Sequence, residues 1–167
     1  PQREAVLAAL NGVLGDHLAA SGNPLATQMT LRFAGQALDW QAMPEKSQVT
    51  GKVLLMVHGL CMNDLQWAAP HQATRSGPTT VVDHGQALAT ALGYTPVYVR
   101  YNTGLHTSEN GHALSKQLEL LAAHWPTTVT EITVLVHSMG GLVTRSAVHS
   151  AQQTQAVWLQ HLKNIVF

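Results

Sequence analysis

Ser138 is the residue of this chain best placed by its neighbours to do chemistry. It stands in Val134-Leu135-Val136-His137-Ser138-Met139-Gly140-Gly141-Leu142-Val143, where an apolar run ends and a glycine pair follows at once. A serine hydroxyl is a weak nucleophile until a base takes its proton, a further group orients that base, and donors stand ready for the oxyanion. It must also project from the backbone. A sharp turn between a strand end and a helix start does this, and brings helix N–H groups beside the reacting carbon. Gly140 and Gly141 let strand and helix approach closely. The plain structural alternative is a serine that merely caps a helix after a buried strand.

A second stretch bears on the choice. Leu55-Met56-Val57-His58-Gly59-Leu60 is another apolar run that ends in a tight-turning glycine, about 80 residues upstream. In this order the two stretches resemble the oxyanion loop and the nucleophile elbow of the α/β-hydrolases, the elbow in its G-H-S-M-G-G form. The resemblance implies that Ser138 is the nucleophile and that the backbone N–H groups of Leu60 and Met139 form the oxyanion hole. It implies supporting places for His58, Gly59, His137 and Gly140. His137 is expected to point away from the hydroxyl, as neighbours on an elbow do, and His58 to support the loop by packing or hydrogen bonding. One residue departs from the pattern. Val136 occupies the usual glycine position, and a β-branched side chain there is expected to crowd the turn at about 1–3 kcal/mol.

The likeness covers nearly the whole chain. Val53–Leu65, Asp83–Tyr101, and Tyr101-Asn102-Thr103-Gly104 with Ser108-Glu109-Asn110-Gly111 are similar to a bacterial group of lipase- and esterase-like serine hydrolases; Leu105 replaces an expected basic residue. The resemblance implies a carboxylic ester hydrolase working through an acyl-enzyme on a small-molecule or lipid ester, with no cofactor and no metal. Two other readings keep the fold: a non-catalytic binding protein, which Val136 favours, and an acyltransferase or amidase.

The rest of the triad is not in this stretch. The family order is Ser, acid, His, yet no Asp or Glu follows Ser138. His149 falls about 16 Å along the departing helix at about 1.5 Å per residue, out of reach, and His161 has no acid in order. Both read as surface histidines. The acid and base are therefore expected beyond Phe167, and residues 1–167 alone are expected to be inactive.

The elements that must position these residues follow from patterning. Residues 4–20 read as an amphipathic helix with Val6, Leu10, Val13 and Leu14 on its apolar stripe, and Met29–Phe33 as a short strand. Residues 36–51 read as a loop. Val53–Val57 reads as a strand buried on both faces, followed by a polar loop with Pro70, Gly77 and Pro78. A helix over Asp83–Leu92 and a strand over Pro96–Tyr101 come next. The spacing of Leu114, Leu118, Leu121 and Trp125 predicts a helix over 108–125 with Ser108 as N-cap. A strand over Ile132–Val136, a helix over Gly140–Gln153 and an apolar run at Asn164–Phe167, read as the start of a buried strand, complete the pattern. Strands alternating with helices predict an α/β fold with a mostly parallel sheet flanked by helices, incomplete at the C-terminus. The expected organisation is one partial domain over 1–167, with an N-terminal helix and strand in 1–35 and a βα core over 52–167.

Composition closes off other classes. The chain is 46% hydrophobic and 11% charged, enough for a buried core. Nine Lys+Arg balance nine Asp+Glu, leaving no basic stripe for nucleic acid, and no apolar run of about 18 residues suggests a membrane span. Cys61 is alone, so no internal disulfide forms; with no signal peptide evident, the compartment is unassigned and the cytoplasm is favoured. Ten His residues invite a metal site. His71, Asp83 and His84 are the best candidates, but their spacing matches no ligand pattern, and paired Cys and H-E-x-x-H are absent. The glycines lack a dinucleotide fingerprint. Trp40, Trp125 and Trp158 read as packing residues, and Trp67 as a candidate wall of the acyl pocket.

Overall fold

The computed structural model describes residues 2–72, 77 and 79–167, with the side chains of residues 71 and 72 outside that description. Helix α1 (Gln2–Ala20) leads to β1 (Thr30–Phe33) and β2 (Gln36–Ala37), then β3 (Lys52–Val57). A hairpin of β4 (Ala68–Gln72) and β5 (Thr79–Asp83) precedes α2 (His84–Leu92) and β6 (Thr95–Arg100). Helix α3 (Thr107–His124), β7 (Glu131–Val136), α4 (Gly140–Thr154) and β8 (Leu162–Val166) follow. The main sheet has six strands in the order β2-β1-β6-β3-β7-β8. Strands β6, β3, β7 and β8 are parallel, and β1 and β2 are antiparallel additions at one side. This is the mostly parallel α/β architecture that the alternation of elements predicts.

Strand β3 lies at the centre because its sequence can be buried on both faces. Val53, Leu55 and Val57 join one continuous core with Val97, Val99, Ile132, Val134 and Val136 of the adjacent strands. Against that face pack Leu114, Leu118, Leu121 and Trp125 of the α3 segment and Val143, Ala147 and Ala151 of α4. Leu54 and Met56, of opposite parity, are also buried. On that side Met56 is in register with Tyr98, which meets Gly85 of α2. Each fully buried Leu or Val contributes about 1.5–3 kcal/mol relative to exposure.

Several expectations change. Helix α1 does not bury the Val6–Leu10–Val13–Leu14 stripe: Val6, Val13 and Leu14 are exposed, while Ala8, Asn11, Gly15 and Leu18 face inward. The reason is close approach. A Cβ on Gly15 would collide with the Asn102 amide, and one on Gly104 with the α1 backbone, so the helix docks through its small residues. The 36–51 segment contains β2, closed onto β1 by Ala34 (φ 49°) and Gly35 (φ 79°), the left-handed pair of a tight hairpin. The stretch around Pro70 is no simple loop: β4 and β5 pair antiparallel, with Pro70 opposite Val81. Val81 is exposed, so this hairpin carries little of the buried pattern that marks a strand. Helix α3 begins after His106, whose amide donates to Glu109 Oε2 at 3.1 Å; that carboxylate moves the start ahead of Ser108. Strand β8 comes last in the sheet order beside β7, with its Lys163, Asn164 and Val166 exposed.

Candidate functional site

The segment leaving β7 makes the turn that a projecting serine needs. Val136 still pairs with Val57, and the His137 amide donates to the Val57 carbonyl at 3.0 Å. Ser138 then enters the left-handed region at φ 52°. The Gly140 amide donates to the His137 carbonyl and the Gly141 amide to the Ser138 carbonyl, each at 3.0 Å, so the chain passes directly into α4. A non-glycine residue held at positive φ stores about 1–3 kcal/mol, a cost typical of functional turns. Ser138 is exposed, and its hydroxyl has no hydrogen-bond partner among the described residues.

The crowding expected of Val136 does not prevent this turn. Val136 is buried in the core, and its Cγ2 lies 3.5 Å from where a Gly141 Cβ would be. That is ordinary van der Waals distance, so the Val136 side chain does not crowd the start of α4. Gly140 is tighter still, because a Cβ there would lie 2.5 Å from the Val57 carbonyl oxygen and 2.8 Å from that of His58. The elbow and the end of β3 are thus in backbone contact.

That contact brings the second segment alongside. A Cβ on Gly59 would sit 3.1 Å from Ser138 Cβ and 3.0 Å from His137 Nδ1. Leu60 and the left-handed Cys61 (φ 58°) follow. The Met62 amide donates to the Gly59 carbonyl at 3.3 Å and the Cys61 amide to Thr103 Oγ1 at 3.0 Å. The amides of Leu60 and Met139 donate to no described residue.

His58 is fully buried, stacked on Tyr101 at 4.4 Å between ring centroids, and its Nδ1 lies 3.0 Å from the Gly59 carbonyl. With Nδ1–H donating to that oxygen, Nε2 is left without a hydrogen-bond partner. Burial pushes the imidazole down to about 4, and the Gly59 hydrogen bond only partly opposes it, so His58 is neutral at pH 7. His137 is exposed and sets its ring edge-on to Trp67, 6.5 Å between centroids. No hydrogen bond joins either histidine to Ser138. Trp67 is half-buried, Trp40 likewise, and Trp125 and Trp158 are buried. His149 is exposed and His161 half-buried.

The family model of the PGAP1-like alpha/beta domain matches residues 48–167, most of the chain. The chain belongs to this family. PGAP1-like domains have a lipase-like α/β-hydrolase fold, and the segments that meet at Ser138 all lie inside the matched residues. No curated protein sequence and no solved structure matches the chain.

Two features of this PGAP1-like domain were hidden in the sequence. One is the pair of hydroxyls, on Tyr101 and Thr103, that reach the 58–61 loop. The other is an ion network in which Asp64 pairs with Arg32 and Arg100, while Arg100 also pairs with Glu4. The Y-N-T-G stretch was the only signal for the hydroxyls and the ion network had none, since the partners lie far apart along the chain. Asp83 caps α2 by accepting from the Gln86 amide at 2.8 Å and also accepts from the Tyr98 hydroxyl. His84 is exposed, and the His71 side chain lies outside the described residues. Among the described residues, no cluster of His, Cys, Asp and Glu could hold a metal ion, and no helix is long and apolar enough to cross a membrane.

Proposed function

We propose that this PGAP1-like domain carries the nucleophile and oxyanion hole of a serine hydrolase that cleaves carboxylic esters. Ser138 Oγ attacks the acyl carbon, and the amides of Leu60 and Met139 donate to the oxygen that becomes negative. A histidine from residues after Phe167 takes the serine proton and returns it to the leaving alcohol, and an acid from the same region orients that histidine. Water, activated by the same base, then releases the acyl group. Gly59 and Gly140 allow the backbone approach, and His58 and His137 support the loop and elbow without exchanging protons in the reaction. No cofactor enters.

The observation that carries this reading is the meeting of an exposed, unpartnered Ser138 at φ 52° with the Gly59 turn and the two undonated amides. An unpaired N–H is costly unless it meets water or a ligand, and such groups beside a serine are the donors an acyl-transfer intermediate needs. Leu60 and Leu142 are exposed near the elbow, and Phe167 lies against Gly141, which favours an apolar acyl group or a lipid ester. His58 cannot serve as the base at neutral pH: it is enclosed and its free nitrogen has no serine partner.

Turnover of p-nitrophenyl butyrate by the full-length protein tests the reading. We expect Ser138→Ala to lower kcat by about a millionfold, and residues 1–167 alone to give no turnover. Unchanged kcat in Ser138→Ala would overturn the assignment of the nucleophile. Robust turnover by 1–167 that depends on Ser138 would overturn the downstream base.

A further inference from the structure

The conformation of the 58–61 loop is not explained by its own sequence. Cys61 is a non-glycine residue in the left-handed region, and Leu60 is 52% exposed, so packing of its side chain does little to fix its backbone. Strained residues persist where surrounding contacts over-determine them. Here the contacts come from the segment that leaves β6.

Tyr101 Oη donates to the His58 carbonyl at 2.7 Å, and its ring stacks on the His58 imidazole. Thr103 Oγ1 accepts from the Cys61 amide at 3.0 Å. The two hydroxyls thus hold the peptide groups on both sides of Gly59-Leu60. Both residues are almost fully buried, at 2% and 4% exposure. Burial raises the Tyr101 pKa far above neutrality, which keeps its proton available to donate. The segment between them is itself fixed. Asn102 Nδ2 donates to the Gly15 carbonyl of α1, and Asn110 Nδ2 of α3 to the Asn102 carbonyl, each at 2.9 Å. A support anchored on two helices therefore holds the ends of a loop whose own hydrogen bonds converge on the Gly59 carbonyl and leave the Leu60 amide free.

We propose that Tyr101 and Thr103 are positioning residues that clamp the 58–61 loop and aim the Leu60 amide at the oxygen on the carbon attacked by Ser138. The proposal rests on the hydrolase reading above. Neither side chain takes part in bond making; each acts through the loop backbone. Their effect belongs to the transition state, because the oxygen presses on the Leu60 amide most strongly when it is negative.

The test uses full-length protein carrying Thr103→Val, Thr103→Ser or Tyr101→Phe, with kcat and KM on p-nitrophenyl butyrate and the rate of Ser138 labelling by a fluorophosphonate. Misplacing an oxyanion donor by a fraction of its bond length costs about tenfold to hundredfold in rate. We expect that loss in kcat and in labelling rate for Thr103→Val, with KM within about twofold of wild type, and recovery of most of it in Thr103→Ser. Tyr101→Phe keeps the ring in the core and should show the same split, which covers the case in which Thr103→Val fails to fold. A folded Thr103→Val with wild-type kcat, an equal loss in Thr103→Ser, or wild-type kcat in Tyr101→Phe would each overturn the clamp. A wild-type protein that reacts with neither ester nor fluorophosphonate would remove the hydrolase reading and the clamp with it, whereas an active wild type with indifferent variants would remove the clamp alone.

Discussion

At the scale of single residues, His58 links stability to pH in a way that can be measured. Its imidazole has an ordinary value of 6.5 and is held at about 4 in the fold by burial. The unfolded chain therefore binds a proton between these values that the folded chain refuses, so stability rises with pH across this window and is lost as pH falls through it. The shift corresponds to a contribution on the order of 3 kcal/mol, complete above pH 6.5 and gone below about pH 4. Urea unfolding followed from pH 7 to pH 4 should show the midpoint falling through this range. His58→Gln should flatten that dependence; an equally steep fall in the variant would mean that other groups cause it.

At the scale of elements, the sequence was informative wherever a period met a buried face. The α3 stripe of Leu114, Leu118, Leu121 and Trp125 is buried as its spacing implies, and β3 and β7 fall where their continuous apolar runs place them. Helix α1 shows the limit of this logic, because its docking face is built from Ala8, Asn11, Gly15 and Leu18. Small residues add little to a hydrophobic pattern, yet they permit contacts that larger ones forbid. Asn11 adds specificity: its amide donates to the carbonyls of Leu7 and Leu25 and accepts from the Thr27 amide at 2.8 Å. We expect Asn11→Ala to cost about 1–3 kcal/mol, since it leaves the Thr27 amide and the Leu25 carbonyl without this partner, while Val13→Ser on the exposed stripe stays within about 0.5 kcal/mol. Chemical denaturation of both variants checks this, and the reverse order would mean that α1 docks through its apolar stripe. The backbone around Ser138 divides in the same way. The turn at Ser138 and the close approaches at Gly59 and Gly140 were legible because turns and close approaches impose residue types, whereas the Tyr101 and Thr103 hydrogen bonds were not, because a hydroxyl meeting a distant backbone group leaves no local period.

At the scale of the molecule, distant segments converge behind the 58–61 loop. Asp64, just beyond that loop, is buried between Arg32 of β1 and Arg100 of β6, and Arg100 also holds Glu4 of α1 at 2.9 Å. The N-terminal helix, the antiparallel side of the sheet and its parallel centre therefore meet at this ion cluster, close in sequence to the loop. Such pairs add little net stability when buried, but they penalise any arrangement that separates their partners. The fold thus braces one side of the Ser138 site from α1 and β6 and forms the other from β7 and α4. The most direct measurement of this account is a crystal structure of the full-length protein after reaction with diethyl p-nitrophenyl phosphate. The account predicts phosphorus bonded to Ser138 Oγ, with one phosphoryl oxygen about 2.7–3.1 Å from both the Leu60 and Met139 amide nitrogens. Phosphorus on another residue, or an oxygen turned away from the Leu60 amide, would contradict it.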